Sequence, residues 1–233
     1  RRSSDLYLFR KTLELAQKPD RFVVHATADA RYRLYVNGQS VCFGPQRSDT
    51  WVWHYESVDL APFLRVGANV IAAKVMSYGE TTPYAVTGIR TGFLLQGDTD
   101  AERGVNTDAS WKVTGDNSNT PIPVTLPTYT VVGPGNRLDA TTHPWGWNVT
   151  GFDEGTVPAA RVLPHANPYG LGTDMDHWLR PRTIPLMEET ELRLARVRRA
   201  TGIVVPAEFL AGGHPFEIPA HTHATILLDQ GFE

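Results

Sequence analysis

The chain has 233 residues, 41% hydrophobic and 20% charged, with 17 Pro and 20 Gly, which is the composition of a folded, turn-rich protein and excludes a disordered one. A formal net charge of −3 supplies no global field for nucleic acid or an anionic membrane surface, so neither is expected as a partner. No run approaches the roughly 18 apolar residues of a membrane span, and Cys42, the one cysteine, excludes an internal disulfide and a Cys-rich metal site.

The opening stretch RRSSDLYLFRKTLEL lacks the uninterrupted apolar core of a signal peptide. From Arg21 to Gly115, short alternating runs separated by Gly, Pro, Asn and Asp read as strands. RFVVHATA is one. RYRLYV and QSVCF flank Asn37-Gly38, a pair that favours a two-residue type I′ hairpin turn because both central positions need positive φ. HYESVDL gives a strand ending at Asp59, and APFLRVGANVIAAKVMSYG a short helical turn followed by a strand opening at Asn69. TGFLLQGD and ASWKVTGD complete the set, each stopped by Gly-Asp. From Asn117 to Asn148 the Pro-, Gly-, Thr- and Asn-rich text predicts long loops, which in a compact domain are often functional.

A linker-like HANPYGLGTDMD leads to HWLRPRTIPLMEE, an extended crossing segment. TELRLARVRRATGIVVP and HATILLDQG then alternate again, too short to close a sandwich of their own. The expected organisation is a complete β domain over residues 1–178 and the linker and opening strands of a second over 179–233.

Candidate chemistry is sparse. His221 and His223 would share one face of a strand, but a zinc site needs three or four ligands. Asp174, Asp176 and His177 offer only a fragment of a calcium loop. The adjacent carboxylates Asp153-Glu154 and Glu188-Glu189 point to opposite faces of an extended chain, so neither doublet is a ready acid/base pair. No nucleophile elbow, phosphate loop or dinucleotide fingerprint occurs, and Cys42 sits in an apolar run where a buried, inert thiol is expected. The aromatic residues are the remaining signal. Trp51, Trp53 and Tyr55 alternate onto one strand face, with core packing expected for them; Trp145 and Trp147 alternate in the same way within the loop region, where stacking on sugar C–H faces and packing are both open.

Over HATADARYRLYVNGQSVCFGPQRSDTWVWHYESVDLAPFLRVGANVIAAKV the sequence resembles the N-terminal domain of bacterial α-L-rhamnosidases, a glycoside hydrolase family. The resemblance rests on Thr27-Ala28-Asp29, Tyr32, Leu34-Tyr35-Val36-Asn37-Gly38, Gly44-Pro45, Asp49, Tyr55, Asp59-Leu60, Leu64, Gly67 and Asn69. It continues through Asp108, Trp111 and Lys112, through Phe152-Asp153, and through Trp178 to Glu189 into ILLDQG. It implies an all-β, jelly-roll (galactose-binding-like) β-sandwich followed by the start of a second β-sandwich. In such enzymes an α/α toroid then carries the acid and base of an inverting mechanism, roughly 6.5–9.5 Å apart; its motifs do not occur here.

The resemblance therefore makes this the non-catalytic front of a glycosidase that releases terminal α-L-rhamnose. Its expected partners are a rhamnose-containing glycan or the enzyme's own catalytic domain, and no cofactor is required. Some relatives hold rhamnose through calcium in the loop after the hairpin. Here Asp49 matches the acidic ligand, although Thr50 stands where an Asn follows it. Arg47, Asp49, Trp145 and Trp147 are the expected sugar-binding residues, with Asp49 also the calcium ligand. A periplasmic or secreted setting is expected. The alternative reading is an independent carbohydrate-binding module; a self-contained hydrolase is a third.

Overall fold

The computed structural model describes residues 5–49, 52–79, 82, 86, 88, 90–122, 135–163, 167–168, 178–212 and 215–231. It forms two compact units, Arg1–Pro185 and Leu186–Glu233. In chain order the strands are β1 (Asp5–Leu15), β2 (Val23–Ala28), β3 (Arg31–Val36), β4 (Gln39–Gly44), β5 (Val52–Asp59), β6 (Gly67–Ser77), β7 (Phe93–Gly97), β8 (Lys112–Gly115), β9 (Asn119–Ile122), β10 (Gly135–Leu138), β11 (Asn167–Pro168), β12 (Trp178–Pro181), β13 (Arg196–Thr201) and β14 (Thr225–Asp229).

The first unit is an all-β sandwich. One sheet has the order β4-β3-β6-β1-β8 and the other β11-β12-β5-β2-β7. Their inner faces close a single core: Leu34, Val36, Ile71, Ala73 and Val75 from one side meet Val24, Ala26, Ala28 and Leu95 from the other, with Trp111 also enclosed. The two-residue period of each strand sends its alternate side chains to this core.

The hairpin forms as expected. Asn37 has φ 51° and Gly38 φ 85°, the two positive values of a type I′ turn. Asn37 does more than turn the chain: its Nδ2 donates to Asn69 Oδ1 at 2.8 Å and to Phe63 O at 3.0 Å, and its Oδ1 accepts the Val70 N–H at 3.0 Å. Asn69, fully buried, returns donors to Arg65 O and Gly67 O. The side-chain polar atoms of the half-buried Asn37 and the buried Asn69 are thus satisfied, as burial requires. The expected helical turn is a 3₁₀ turn at Ala61–Phe63, and β5 ends at Asp59, whose Oδ1 accepts the N–H groups of Phe22 and Ala61.

Three elements differ from expectation. β1 lies ahead of the run where alternation is evident, yet it pairs with β6 from Asp5↔Ser77 to Leu15↔Gly67 and occupies the sheet interior. Its two faces both meet apolar neighbours, Phe9 and Leu13 in the core and Leu8 on the outer side, so residues 6–9 form a continuous apolar run, which Arg10-Lys11-Thr12 interrupt before Leu13. The region 117–148 is not loop throughout, since β9 and β10 pair antiparallel. The first unit also runs past 178: β12 pairs parallel with β5, Trp178↔Val52 to Pro181↔Tyr55.

The second unit contains the antiparallel pair β13–β14, with a bulge between Val197 and Arg199. Asp229 anchors it, accepting from Arg196 Nε at 2.8 Å while its backbone carbonyl takes the Ala195 N–H.

Candidate functional site

Residues 45–49 leave β4 toward β5. Asp49 Oδ1 accepts the N–H of Val52, the first residue of β5, at 2.9 Å. Arg47 is exposed. Thr50 and Trp51 lie outside the described residues, as do the linker 169–176 and the trio Asp174, Asp176 and His177. Calcium takes roughly six to eight oxygens, several of them carboxylate. Among the described residues no group of three or more His, Cys, Asp or Glu side chains gathers.

What the loop does join is a buried polar knot. The Gln46 N–H donates to Glu56 Oε1 at 2.9 Å, Tyr32 OH donates to Oε2 at 2.6 Å, and Arg182 Nη1 donates to Oε1 at 2.9 Å. Glu56 is 0% exposed and the Arg182 side chain 11%. Burial first, then nearby Cys42 and Glu56, push the Tyr32 phenol well above its ordinary value, which keeps it a donor. The rest of Arg182 binds the chain just beyond it: Nε donates to Ile184 O at 2.9 Å and Nη2 to Pro185 O at 2.9 Å. Gln46 closes the arrangement, its Oε1 accepting the Thr183 N–H at 2.8 Å and its Nε2 donating to Thr183 Oγ1 at 2.9 Å. Residues 182–185, the last of the first unit, are thereby clamped to β5 and to the loop after the hairpin. His54 lies alongside; partial burial lowers its pKa, with Glu56 opposing and Arg180 and Arg182 reinforcing.

The two tryptophans of the 139–155 segment part company. Trp147 is 7% exposed and packs with Leu8, Val70 and Ala72, its ring edge-on to Tyr35 at 5.7 Å. These residues form the outer face of the first sheet, opposite the core. The Trp147 carbonyl accepts from Arg10 Nη1 at 3.0 Å, and Arg10 Nε sits 2.8 Å from Glu154 Oε2. Trp147 is thus a packing residue rather than a sugar-stacking one. Trp145 is 65% exposed. Extended backbone would put both indoles on one face, but the intervening Gly146 has φ 79°, a left-handed conformation open to glycine, and the chain reverses there.

Trp145 is also fixed in place. Its Nε1 donates to Ala140 O at 2.8 Å, its backbone N–H to His143 O at 2.8 Å, and its ring meets His143 edge-on at 4.6 Å and 78°. His143 Nδ1 in turn lies 3.1 Å from both Asp116 Oδ2 and Ser118 Oγ. The Asp116 carboxylate is fully enclosed and accepts further from Asn119 Nδ2 at 2.7 Å.

Two Ser, His and Asp sets invite comparison with a hydrolytic triad, and neither qualifies. Ser118 and Asp116 share the same nitrogen of His143, so the imidazole cannot relay a proton between them. Ser57 Oγ lies 2.8 Å from His25 Nδ1 and Asp98 Oδ1 lies 3.2 Å from Nε2, a relay-like order. Ser57, however, is paired with His25 in mid-sheet, where backbone N–H groups belong to the ladder rather than to an oxyanion hole. Asp98 is already engaged by Arg21 at 3.1 Å.

The remaining candidates are structural in their surroundings. Asp153 accepts the Gly155 N–H and Glu154 pairs with Arg10, so the doublet serves the 139–155 segment. Glu188 and Glu189 are exposed, as are His221 and His223. Cys42 is buried. Trp53 is buried too, on the β5 face turned away from Glu56 and Val58, and Tyr55 shares that face with His25, 5.3 Å away edge-on. Sequence reasoning missed Glu56, Arg182 and His143. For Glu56 a signal exists, a charge on the same alternating face of β5 as Val58; for His143 nothing short of the fold supplies one.

No family model and no curated protein matches the chain. Solved structures do. A GH78 family rhamnosidase of Bacillus sp. GL1 is 27% identical, with a TM-score of 0.70 over 87% of this chain and 21% of that one. The native α-L-rhamnosidase from Aspergillus terreus is 20% identical, with a TM-score of 0.58 over 83% and 22%. The Streptomyces avermitilis α-L-rhamnosidase complexed with L-rhamnose is 25% identical, with a TM-score of 0.53 over 68% and 16%. The chain thus spans about a fifth of the length of these neighbours, which are glycoside hydrolases.

Proposed function

We propose that the chain is the non-catalytic front of an inverting α-L-rhamnosidase and that its sandwich braces the domains that follow. The supporting observation is the Glu56–Arg182 clamp. A buried, fully hydrogen-bonded ion pair is a costly way to hold a terminus in place, and here it holds residues 182–185. Such a device suits a domain whose task is to set the direction of its exit segment. The likeness in fold to rhamnosidases, over a fifth of their length, supports the enzyme context.

The reading is tested by assaying release of the aryl group from an aryl α-L-rhamnoside, with this chain alone and with the product of the complete natural reading frame. Turnover by the complete product and none by residues 1–233 is the expected result. Turnover by the chain alone would make it a self-contained hydrolase. A natural frame holding no further domain would make it an independent carbohydrate-binding module.

A further inference from the structure

We infer that Trp145 is the stacking platform of a glycan-binding site on the outer face of the first sheet, one that needs neither Asp49 nor calcium. The inference rests on the rhamnosidase reading for the identity of the sugar, but not for the existence of the site.

Three features carry it. The first is rigidity in an exposed aromatic: Trp145 keeps 65% of its surface open although its indole N–H, its backbone N–H and one ring edge are all engaged. With the N–H satisfied inside the protein, what the side chain offers to solvent is apolar aromatic surface. The second is the depth of the support. His143, which buttresses the ring, is itself held by the enclosed Asp116 and by Ser118, so the platform is preorganised and little freedom is lost on binding.

The third is the surrounding chemistry. Asp139, Thr141 and Thr142, within two residues of Ala140, whose carbonyl takes the indole N–H, are exposed, and the Asp139 carboxylate is oriented by the Thr141 N–H at 3.0 Å and hydroxyl at 2.6 Å. A fixed, exposed aromatic ring on a stretch that also presents hydroxyls and a carboxylate suits a ligand with one apolar face and a polar edge, which describes a pyranose. A 6-deoxy sugar such as L-rhamnose adds a methyl group to that apolar face.

The test is titration of the 233-residue chain with L-rhamnose and, separately, D-glucose. It follows the indole N–H resonance of Trp145, assigned by its disappearance in Trp145→Phe. L-Rhamnose is expected to shift that resonance saturably at millimolar concentration. Trp145→Ala is expected to weaken calorimetric binding at least about tenfold, with the other indole resonances unmoved as a check on folding, and Trp145→Tyr, which keeps a smaller ring, to weaken it less. Asp49→Ala and chelation of calcium are expected to change nothing. Binding of D-glucose through Trp145 with none of L-rhamnose would support the platform and count against the rhamnoside reading. Absence of a shift with either sugar, or binding that survives Trp145→Ala but not Asp49→Ala, would overturn the site while leaving the enzyme assay to decide the function by itself.

Discussion

Two irregular segments dock onto the sandwich; both use an arginine–glutamate pair, and only the second adds a buried aromatic ring of its own. Residues 182–185 are held by charge: Arg182 reaches the enclosed Glu56 and gathers the carbonyls of Ile184 and Pro185 around its guanidinium. Residues 139–155 are held by packing and charge together, with Trp147 seated on Leu8, Val70 and Ala72 and Arg10 both tying down the backbone beside it and pairing with Glu154. The difference is instructive because a ladder strand spreads its attachment over many backbone bonds, whereas each of these segments hangs on a few side chains. Charge docking fixes direction sharply and fails abruptly. Apolar docking tolerates adjustment and leaves the neighbouring residue, here Trp145, open to solvent.

The contrast can be broken most forcefully at the clamp. Arg182→Ala leaves a buried carboxylate without its partner and is expected to cost about 3–5 kcal/mol, read as a lowered urea midpoint. A loss below about 1 kcal/mol would mean that the pair is not enclosed as described. Next comes Trp147→Ala, expected to cost about 3 kcal/mol, at the low end for a buried tryptophan because an outer-face site can partly collapse. Native-state hydrogen exchange separates the two. Trp147→Ala should loosen amides of 143–150 and spare those of 182–183, and the reverse pattern would refute the division between the two segments.

The smallest effect is in pH. The folded pKa of His54 lies below its unfolded value of about 6.5, because partial burial disfavours the imidazolium. Its contribution is therefore full above about pH 6.5 and is lost as pH falls from there toward the lowered folded pKa, since the unfolded chain takes up the proton first. Stability measured from pH 7.5 down to pH 5 should decline, and His54→Asn should flatten the decline. An unchanged slope in that variant would assign the limb to another group.

Sequence pattern was most informative where neighbours along the chain decide the geometry. Asn37-Gly38 dictates its turn, Asp59 ends its strand, and alternation reveals β2 to β8, because these outcomes depend on φ preferences and on a period of two. β1 escaped because residues 6–9 are apolar on both faces and Arg10-Lys11-Thr12 break the period before Leu13. The contrast between Trp145 and Trp147 had a local cue, the glycine between them, but a glycine permits a reversal without demanding one. Of the four expected sugar-binding residues, Trp147 is packed against the first sheet, Asp49 caps β5, Arg47 is exposed on the loop before it, and Trp145 stands on the segment that crosses the opposite sheet.

The amino-acid sequence by itself determined an all-β chain, its hairpin, and a likeness to one glycosidase family carried by ordered short motifs. Only the tertiary structure decided that Glu56 meets Arg182 across 126 positions, that Asn37 locks Asn69, and that Asp116 stands behind His143 to hold Trp145 outward. The reason is physical: turns and periodicity are set by interactions within a few residues, whereas a buried polar group finds its partner only when distant strands are brought together, and no local preference encodes which partner that is.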